Sequence, residues 1–384
     1  MEAQEILTHE WPFLLSYIPS GFDLDASAFE SGALRRKREV DSASSLLRLV
    51  LAYGFCGLSL RQTAAWAQAA QLADLSDVAL LKRFRHAAPW LGQILGSKLA
   101  ERASPTQALP RRFHLRVVDA TSISRPGSAG TDWRVHLGYN LDNLAIDSID
   151  LTDAHGGESL LRFTAEPDEI LIGDRTYATR KGLWSVRQSQ AHFIVRLGWR
   201  NLPLCAPDGS PFSLLSFLRD LPDGLPRTCS VHTAPDQFHQ IPAIPCRLVG
   251  LRKTEAAAEA ARKEALRDCS RKGRSVDPRT LEAAGYTFLL TSLDDDAASA
   301  EEVLELYRFR WQIEIAFKRL KSLLALDKLP ARQPELARTF IFAKLLAALL
   351  LDDFTAQFLA FSPWGFRLAQ TPTISMAHST GSAR

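Results

Sequence analysis

Four residues in the last quarter of the chain combine one acid with two cations and a phenol at helical spacing. They are Tyr307, Arg310, Glu314 and Lys321. At about 100° per residue they share a sector roughly 60° wide along about 21 Å of one helix. The carboxylate can ligate a hard cation, while the basic side chains and the phenol can bind phosphates. The alternative is an amphipathic helix with a charged solvent face.

Two further acids end apolar segments upstream. Arg116–Asp119 predicts a short buried strand that ends in Asp119, with small hydroxyl residues suited to a turn behind it. Glu169–Asp174 has the same pattern and ends in Asp174. Acids at strand ends project from the edge of an α/β sheet, where such sheets carry their sites. With Glu314 they supply three carboxylates, enough to hold two divalent cations on either side of a phosphodiester under in-line attack.

These segments together resemble the DDE transposases of bacterial insertion sequences, specifically the insertion-sequence-four group. The signature of that group is a tyrosine, an arginine three residues on, a glutamate four further and a lysine seven further, and this chain matches it without a departure. Val118–Thr121 and Gly173–Tyr177 resemble the two aspartate motifs of the family, in the same order. The resemblance runs from about Ser42 to about Leu350.

The resemblance implies a mixed α/β fold with a ribonuclease-H-like catalytic core, an N-terminal helical domain, and an insertion domain between the second aspartate and the glutamate. Asp119, Asp174 and Glu314 would be the catalytic residues and would hold two Mg²⁺ or Mn²⁺ ions. The implied reaction is cut-and-paste movement of a DNA element by phosphodiester hydrolysis and strand transfer at its ends. Whether cleavage passes through a hairpin on the element end stays open.

The implied partners are double-stranded DNA with the terminal inverted repeats of the element, and target DNA. Dimerisation on DNA is expected because two ends must be joined in concert. DNA contacts are expected from Tyr307, Arg310 and Lys321, and from Arg61 and Gln62 on a helix of a possible helix-turn-helix. A simple three-helix bundle is the alternative for that helical segment.

Composition allows these expectations without requiring them. Hydrophobic residues make up 46% of the 384 residues and charged residues 23%, which excludes disordered and fibrous classes. The net charge is only +3, so affinity for nucleic acid must come from local basic patches. The main patches are Arg35–Arg38, Arg111–Arg112, Arg262–Arg267, Arg271–Arg274 and Lys318–Lys321.

Nothing in the sequence indicates export or a membrane. The N-terminus is acidic and interrupted by Pro12, unlike a signal peptide, and the apolar run Phe340–Leu351 is too short to cross a bilayer and predicts a buried helix. Five cysteines without a CxxC pair suggest neither disulfides nor structural zinc. We therefore expect a cytoplasmic, nucleoid-associated bacterial protein without a membrane partner.

Changes in composition and hydrophobic periodicity along the chain predict six segments. Ser59 and Ser76 are predicted N-caps of helices ending near Gln71 and His86. The segments are an N-terminal arm or loosely packed cap (1–40), a helical DNA-binding domain (41–105), a first core segment (106–198), an insertion (199–290), a second core segment (291–355) and a tail (356–384). Whether the tail is a native end or the product of a frameshift stays open.

The first core segment is predicted to contain five strands and one helix. The strands are His114–Val118, Val135–Leu141, Ala145–Leu151, Glu169–Ile172 and His192–Leu197, with a helix at about Thr179–Gln190. Polar clusters around His136 and from Thr152 to Glu158 resemble family segments near the site, although turn and cap roles are the alternative. By the same resemblance, Trp199 is a candidate platform for an extruded base, against the alternative of a packed core or edge tryptophan.

Two other functions are compatible with some of these features. The first is a non-catalytic DNA-binding protein derived from such a transposase, which the complete set of three acids and the signature disfavour. The second is an aspartyl phosphatase with Asp119 as nucleophile, which needs more acids after the strand than Ser122–Ser124 supplies.

Overall fold

The computed structural model describes residues 3–103, 113–331 and 333–360. The chain divides into two compact units, one formed by residues 1–98 and 333–384 and the other by residues 99–332. The first unit is helical, and the second contains the sheet with the three predicted catalytic acids. The basic pair Arg111–Arg112 and the tail from residue 361 onward lie outside the described residues.

The helical unit is built from short N-terminal helices and one long C-terminal helix. They are α1 (Ala3–His9), α2 (Trp11–Leu15), α3 (Leu24–Glu30), α4 (Ala43–Gly54), α5 (Leu60–Ala69), α6 (Asp77–Phe84), α7 (Ala88–Ala103, whose end enters the second unit) and α14 (Pro334–Ala360).

Side-chain caps begin the helices α5 and α6 where the sequence predicts them. Ser59 Oγ accepts the backbone N–H of Gln62 at 3.2 Å, and Gln62 Oε1 accepts the N–H of Ser59 at 3.0 Å. Ser76 Oγ accepts the N–H of Ala79 at 3.2 Å. Both predicted N-caps are therefore confirmed, and both helices end two residues earlier than expected.

The first 40 residues are packed rather than loose. Leu7 is fully buried, and its carbonyl oxygen accepts a hydrogen bond from Arg48 Nε on α4 at 2.6 Å. The indole N–H of Trp11 donates to Ser44 Oγ at 3.0 Å. The expectation of an arm or loosely packed cap is therefore corrected, because apolar residues of α1 and α2 complete the core around α4.

Helix α14 belongs to the helical unit, not to the second core segment. Gly54 on α4 permits close contact, since a Cβ there would lie 2.4 Å from that of Ala343. Thr339 Oγ1 donates to the carbonyl oxygen of Phe84 on α6 at 2.6 Å. The apolar run 340–351 is a buried helix as predicted, but its burial here ends the second core segment at residue 332 instead of 355. No described helix meets the length and hydropathy needed to cross a bilayer.

The second unit contains a nine-stranded sheet flanked by helices. Its strands are β1 (His114–Ile123), β2 (Trp133–Asn140), β3 (Ala145–Asp153), β4 (Glu169–Gly173), β5 (His192–Arg196), β6 (Leu204–Cys205), β7 (Arg227–Thr233), β8 (Pro245–Arg252) and β9 (Tyr286–Thr291). Its helices are α8 (Arg180–Gln188), α9 (Leu214–Arg219), α10 (Glu255–Arg271), α11 (Pro278–Ala284), α12 (Ala300–Arg308) and α13 (Trp311–Leu324), with a 3₁₀ helix at Leu160–Arg162.

The strand order is β3-β2-β1-β4-β5-β9-β8-β7-β6. Strands β1, β2 and β3 are antiparallel neighbours, β1 with β4 and β4 with β5 are parallel, and β9 returns antiparallel beside β5. Helix α8 connects β4 to β5, as a parallel pair requires. The mixed α/β fold with a ribonuclease-H-like arrangement of the first five strands is confirmed.

The register between β1 and β4 sets the two aspartates side by side. The last paired residues are Val117 and Ile172, so two more steps place Asp174 opposite Asp119 on strands about 4.8 Å apart. Strand β1 does not end at Asp119, however, because it continues to Ile123 in pairing with β2. The predicted strand end is thus corrected: only the β4 side of β1 ends before the acid.

The segment 199–290 continues the sheet that carries Asp119 and Asp174 instead of forming a separate domain. Strands β8, β7 and β6 extend the sheet outward from β9, and one buried cluster includes Val118, Val195, Leu248 and Leu290. The helix α10 is largely solvent-exposed, with an ion pair between Lys263 and Glu259 at 2.7 Å. A sheet shared across 199–290 gives the insertion a fixed position relative to the acids.

Candidate active site

Asp119 lies on β1 at the point where its parallel neighbour has ended. Its side chain is 19% exposed. Burial raises the pKa of Asp119 to about 6; the N–H of Ala120 and the charge of Arg310 oppose this rise, whereas Asp174 adds to it. A carboxylate destabilised in this way is stabilised by any cation that reaches it.

Asp174 occupies a tight turn directly after β4. Gly173 is required there, because a Cβ would lie 2.9 Å from the Cβ of Tyr177. Asp174 Oδ1 accepts the backbone N–H of Thr176 at 2.7 Å. The Gly-Asp-Arg-Thr-Tyr segment therefore has a local explanation: the glycine lets the turn close, the buried tyrosine anchors it, and the threonine orients the acid.

Tyr307, Arg310 and Glu314 do not lie on one continuous helix. Helix α12 ends at Arg308 and α13 begins at Trp311, with i→i+3 bonds from the N–H groups of Phe309 and Arg310. The predicted single helical stripe is corrected to two helices joined by a tightened turn. That turn lies at Arg310, which is the side chain that reaches the sheet.

Arg310 joins the acid of α13 to the acid of β1. Its guanidinium hydrogen-bonds Glu314, four residues on, and its Nη1 lies 3.6 Å from Asp119 Oδ2. The pKa of Tyr307 is raised by burial and partly lowered again by the charge of Arg310. Because the register of β1 and β4 sets Asp174 opposite Asp119, and Arg310 contacts both Asp119 and Glu314, the predicted acids from three distant segments lie around one edge of the sheet.

Lys321 lines an open groove beside these acids. The groove is formed by Ala120 and Thr121 of β1 and by Glu314, Lys318 and Lys321 of α13. It carries two ammonium groups next to the edge with the carboxylates. A polyanion lying in this groove would meet cations along its length and acids at its end.

The donor set suits a hard divalent cation, although the side chains do not converge on one. Within residues 3–103, 113–331 and 333–360, no group of three or more His, Cys, Asp or Glu side chains is arranged to hold a metal ion. Arg310 occupies the space between Asp119 and Glu314 as their counterion. Carboxylate oxygens are the ligands that Mg²⁺ and Mn²⁺ prefer, and burial raises the pKa of Asp119 because the charged carboxylate is poorly solvated, a cost that a bound cation would reduce.

The two polar clusters noted in the sequence have different roles. His136 is fully buried with Nε2 at 3.0 Å from Thr152 Oγ1, and burial lowers its pKa to about 4, so it is neutral at ordinary pH. Glu158 instead lies 3.7 Å from Arg134 Nε, and its pKa is raised first by burial and then by the charge of Asp174. The sequence marks Glu158 only as the last residue of the polar cluster that begins at Thr152.

Trp199 lies in the turn after β5 with much of its ring already in contact. Its indole N–H donates to Thr280 Oγ1 at 3.0 Å, and the guanidinium carbons of Arg200 and Arg279 lie 4.6 and 4.5 Å from the ring centroid. Asn201 Nδ2 donates to the carbonyl oxygen of Arg175, which ties this turn to that of Asp174. A base could stack on Trp199 only by displacing an arginine.

Arg61 and Gln62 lie on α5 in the helical unit. Arg61 is 90% exposed, with Nε 4.0 Å from Asp77 Oδ2. Gln62 completes the capping box with Ser59, so its carboxamide oxygen is already used. The Ser-x-x-Gln spacing is a sequence signal that predicts this role, and it leaves only the amide N–H₂ of Gln62 for a base edge.

Comparison with known proteins identifies the family. Residues 112–350 match the model of the transposase DDE domain, which covers more than half of the chain. The chain belongs to the DDE transposase family. It is 44% identical over 355 residues to the InsL protein of insertion sequence element IS186A from Escherichia coli K12, covering 92% of this chain and 96% of that protein.

A second relative gives the same result. The transposase for insertion sequence element IS421 of Escherichia coli is 44% identical over 356 residues, again covering 92% of this chain. A cryo-EM structure of the piggyBac transposase synaptic complex with hairpin DNA aligns at a TM-score of 0.42 and 9% identity, over 94% of this chain and 68% of that one. That last likeness is too weak to support an argument.

The family defines the activity in general terms. The protein is an insertion-sequence transposase, a DNA-cleaving enzyme of the DDE type, and this type of domain implies use of divalent metal ions.

Proposed function

We propose that this transposase catalyses cut-and-paste movement of its insertion sequence, by hydrolysis and then strand transfer at the element ends. Asp119, Asp174 and Glu314 are its catalytic and metal-binding residues. The observation that carries this proposal is the meeting of acids from three distant segments around Arg310 at one sheet edge.

The three acids would hold two Mg²⁺ or Mn²⁺ ions. Bound there, such ions lower the pKa of an attacking water or 3′-hydroxyl and neutralise the departing oxygen. The side chains of this chain have other tasks. The strand acids fix one wall of the site and Glu314 the other, while Arg310 keeps the opposing carboxylates from repelling each other until a cation replaces it.

The phosphates of the element end would be bound by the cationic side chains of the same region. Lys321 lines the groove next to Glu314, and Arg310 and Tyr307 sit at its acidic end. A guanidinium and an ammonium neutralise backbone phosphates, and a tyrosine hydroxyl can donate to one. Arg61, Gln62 and Trp199 are proposed as further DNA contacts.

The DNA partners are proposed to be the terminal inverted repeats of the element and a target duplex. Because two ends must be cut and joined together, we propose a homodimer assembled on DNA. The single-chain site described above would then be present twice, once for each end.

The test is a nicking assay on a labelled duplex that carries the element end, in Mg²⁺. Asp119→Asn, Asp174→Asn and Glu314→Gln should each abolish nicking while duplex binding persists. Asp150→Asn is the matched control, since that acid lies on β3 in an ion pair with Arg162 at 2.8 Å and should leave nicking intact. Nicking that survives all three substitutions contradicts the assignment. A wild-type protein that binds without nicking in Mg²⁺ or Mn²⁺ would instead be a non-catalytic DNA-binding derivative.

A further inference from the structure

Two arginines from distant parts of the chain meet at one tryptophan ring. The guanidinium carbons of Arg200 and Arg279 lie 4.6 and 4.5 Å from the centroid of the Trp199 ring. The indole N–H of Trp199 donates to Thr280 Oγ1 at 3.0 Å, which fixes the orientation of the ring. Stacking on an aromatic ring restricts a guanidinium group in advance, so less entropy is lost when the group binds an anion. The ring is therefore suited to position these two cations.

The two arginines share one acid, Asp277. Asp277 Oδ2 lies 2.9 Å from Arg279 Nη2 and 3.4 Å from Arg200 Nη2. Asp277 Oδ1 accepts Arg279 Nε at 3.1 Å and the backbone N–H of Arg279 at 2.9 Å, so the carboxylate is held in place. Two positive charges and one negative charge leave this cluster with one net positive charge. A second anion would complete its charge balance.

The free donors of the two arginines face an open depression. The side chains of Arg200 and Arg279 are 62% and 58% exposed. In the part of the chain that the structure describes, Arg200 Nε, Arg200 Nη1 and Arg279 Nη1 make no hydrogen bond. A depression of about 580 Å³ is lined by Arg200 and by residues 275–279. Planar guanidinium groups with free N–H donors match the oxygens of a phosphate.

The cluster lies on the side of the proposed catalytic acids away from Lys321. Strands β4 and β5 are parallel and end at the same edge, so Trp199 follows β5 where Asp174 follows β4. Asn201 Nδ2 joins the two turns by donating to the carbonyl oxygen of Arg175 at 2.6 Å. The groove with Lys321 lies instead along β1, on the other side of β4. The acids therefore lie between two cationic surfaces.

We propose that Arg200 and Arg279 form a phosphate-binding clamp for the DNA strand on the β5 side of the catalytic acids, with Trp199 as a positioning residue that fixes both guanidinium groups. This inference rests on the proposed catalytic role of Asp119 and Asp174, because these acids define where the scissile phosphate lies. A DNA strand across the sheet edge would contact the β1 groove on one side of that phosphate and the clamp on the other. Trp199 then serves DNA binding through the arginines and not by stacking on a base.

The first test is the salt dependence of binding to a duplex that carries the element end, measured by fluorescence anisotropy without metal. Arg200→Gln and Arg279→Gln each remove the net positive charge of the cluster, so each should lower the slope of log K against log salt by about 0.9. Arg219→Gln is the matched control, because Arg219 is 60% exposed in the same segment but is bound at both Nε and Nη2 by Glu282, at 2.5 and 3.0 Å. It should leave the slope unchanged.

A double-mutant cycle tests the positioning role of Trp199. Trp199→Leu should weaken duplex binding about tenfold in the otherwise wild-type protein, but less than about twofold in Arg200→Gln/Arg279→Gln protein, where no guanidinium group remains to be positioned. Trp199→Phe keeps an aromatic ring and should recover some of the loss. Equal losses from Trp199→Leu in both backgrounds would mean that the ring contacts DNA itself, and the positioning role would be wrong.

Neutral methylphosphonate groups at single positions of the same duplex locate the clamp. A methylphosphonate at the clamped phosphate should weaken binding by the wild type and leave binding by Arg279→Gln unchanged. Lys321→Met should lose sensitivity at a different phosphate, on the other side of the scissile phosphate. If both variants lose sensitivity at the same phosphate, the two cationic surfaces do not flank the acids and the proposed location of the clamp is wrong.

This inference and the proposed function fail in different ways. If Arg200→Gln and Arg279→Gln keep the wild-type slope while Asp119→Asn and Asp174→Asn lose nicking, the clamp is wrong and the proposed function stands. If the aspartate variants still nick the element end, the proposed function is wrong whatever the slopes are. A lower slope in both arginine variants, with an unchanged slope in Arg219→Gln, supports the clamp.

Discussion

The two walls of the proposed active site differ in how they hold their acids. On the sheet, Asp119 is 19% exposed, and with Asp174 it is fixed by strand register and backbone hydrogen bonds. On α13, Glu314 is 54% exposed and is held by Arg310, four residues before it. The sheet wall is thus rigid and electrostatically unfavourable, whereas the helix wall is solvated and already neutralised.

This difference suggests a division of labour within one site. On the sheet wall, burial makes the charged form of Asp119 unfavourable, and a cation that reaches this carboxylate would relieve the penalty. The helix acid Glu314 can exchange Arg310 for a cation at lower cost than a buried acid could, because its own side chain is 54% exposed although that of Arg310 is only 23% exposed. Asp119 on the sheet wall is suited to bind an ion firmly. Glu314 on the helix wall is suited to take up and release an ion during successive steps, because Arg310 can take the place of that ion.

The largest expected effect comes from changing the length of an acid on each wall. Asp119→Glu should reduce nicking of an element-end duplex about 10³-fold, because strand pairing fixes the backbone of this residue and a longer side chain would displace its carboxylate by about 1 Å. Glu314→Asp should reduce it only about 10-fold to 10²-fold, because an exposed side chain can adjust to a displacement of about 1 Å. Single-turnover nicking rates in Mg²⁺ measure both. Equal losses would mean that the walls are equally rigid.

The second effect is on stability without metal. The folded-state pKa of Asp119, about 6, exceeds the ordinary value of 3.8, so the folded protein binds a proton more tightly than the unfolded chain. This carboxylate therefore lowers stability above pH 6, and the loss is recovered as the pH falls from 6 toward 4. Asp119→Asn should raise the free energy of unfolding by roughly 2 kcal/mol at pH 7 and by little at pH 4.

The helix wall should respond with the opposite sign. Glu314→Gln removes a half-exposed partner of Arg310 and should lower the free energy of unfolding by less than about 1 kcal/mol. Denaturant unfolding measures the free energy of unfolding of Asp119→Asn and Glu314→Gln, in the presence of a chelator, at pH 7 and pH 4. A destabilised Asp119→Asn protein at pH 7 would show that Arg310 fully compensates the strand acid.

The acids can be found from sequence because each has a local signal. Asp119 and Asp174 end apolar strand patterns, and the spacing of the tyrosine-to-lysine signature is specific. The register that sets the two aspartates side by side has no local signal, since it depends on which strands pair. The sequence therefore predicts which acids to consider, but it does not predict that Arg310 pairs with both Asp119 and Glu314.

The differences between sequence and structure have identifiable physical reasons. No Gly or Pro marks the break after α12, because Phe309 and Arg310 keep near-helical dihedrals through the turn, and periodicity continues across it. The apolar helix α14 is buried as its composition predicts, but burial does not specify which core a helix joins. Gln62, in contrast, carries the capping-box signal that explains its position.

The smallest effect concerns DNA affinity and distinguishes the two cations of the helix wall. Lys321 lines the groove next to Glu314, so Lys321→Met should lower the salt dependence of duplex binding by about 0.9 in log K against log salt, with or without metal. Arg310 is committed to Glu314 and Asp119 in the absence of metal, so Arg310→Met should then leave the slope nearly unchanged. With Ca²⁺ on the acids, Arg310 is released to a phosphate, and its substitution should lower the slope by a similar amount. Fluorescence anisotropy across a salt series, with and without Ca²⁺, measures all four slopes. If the effect of Arg310→Met on the salt dependence is the same with and without Ca²⁺, cations do not displace Arg310 from the acids. The proposed exchange of Arg310 for a cation at Glu314 would then be wrong.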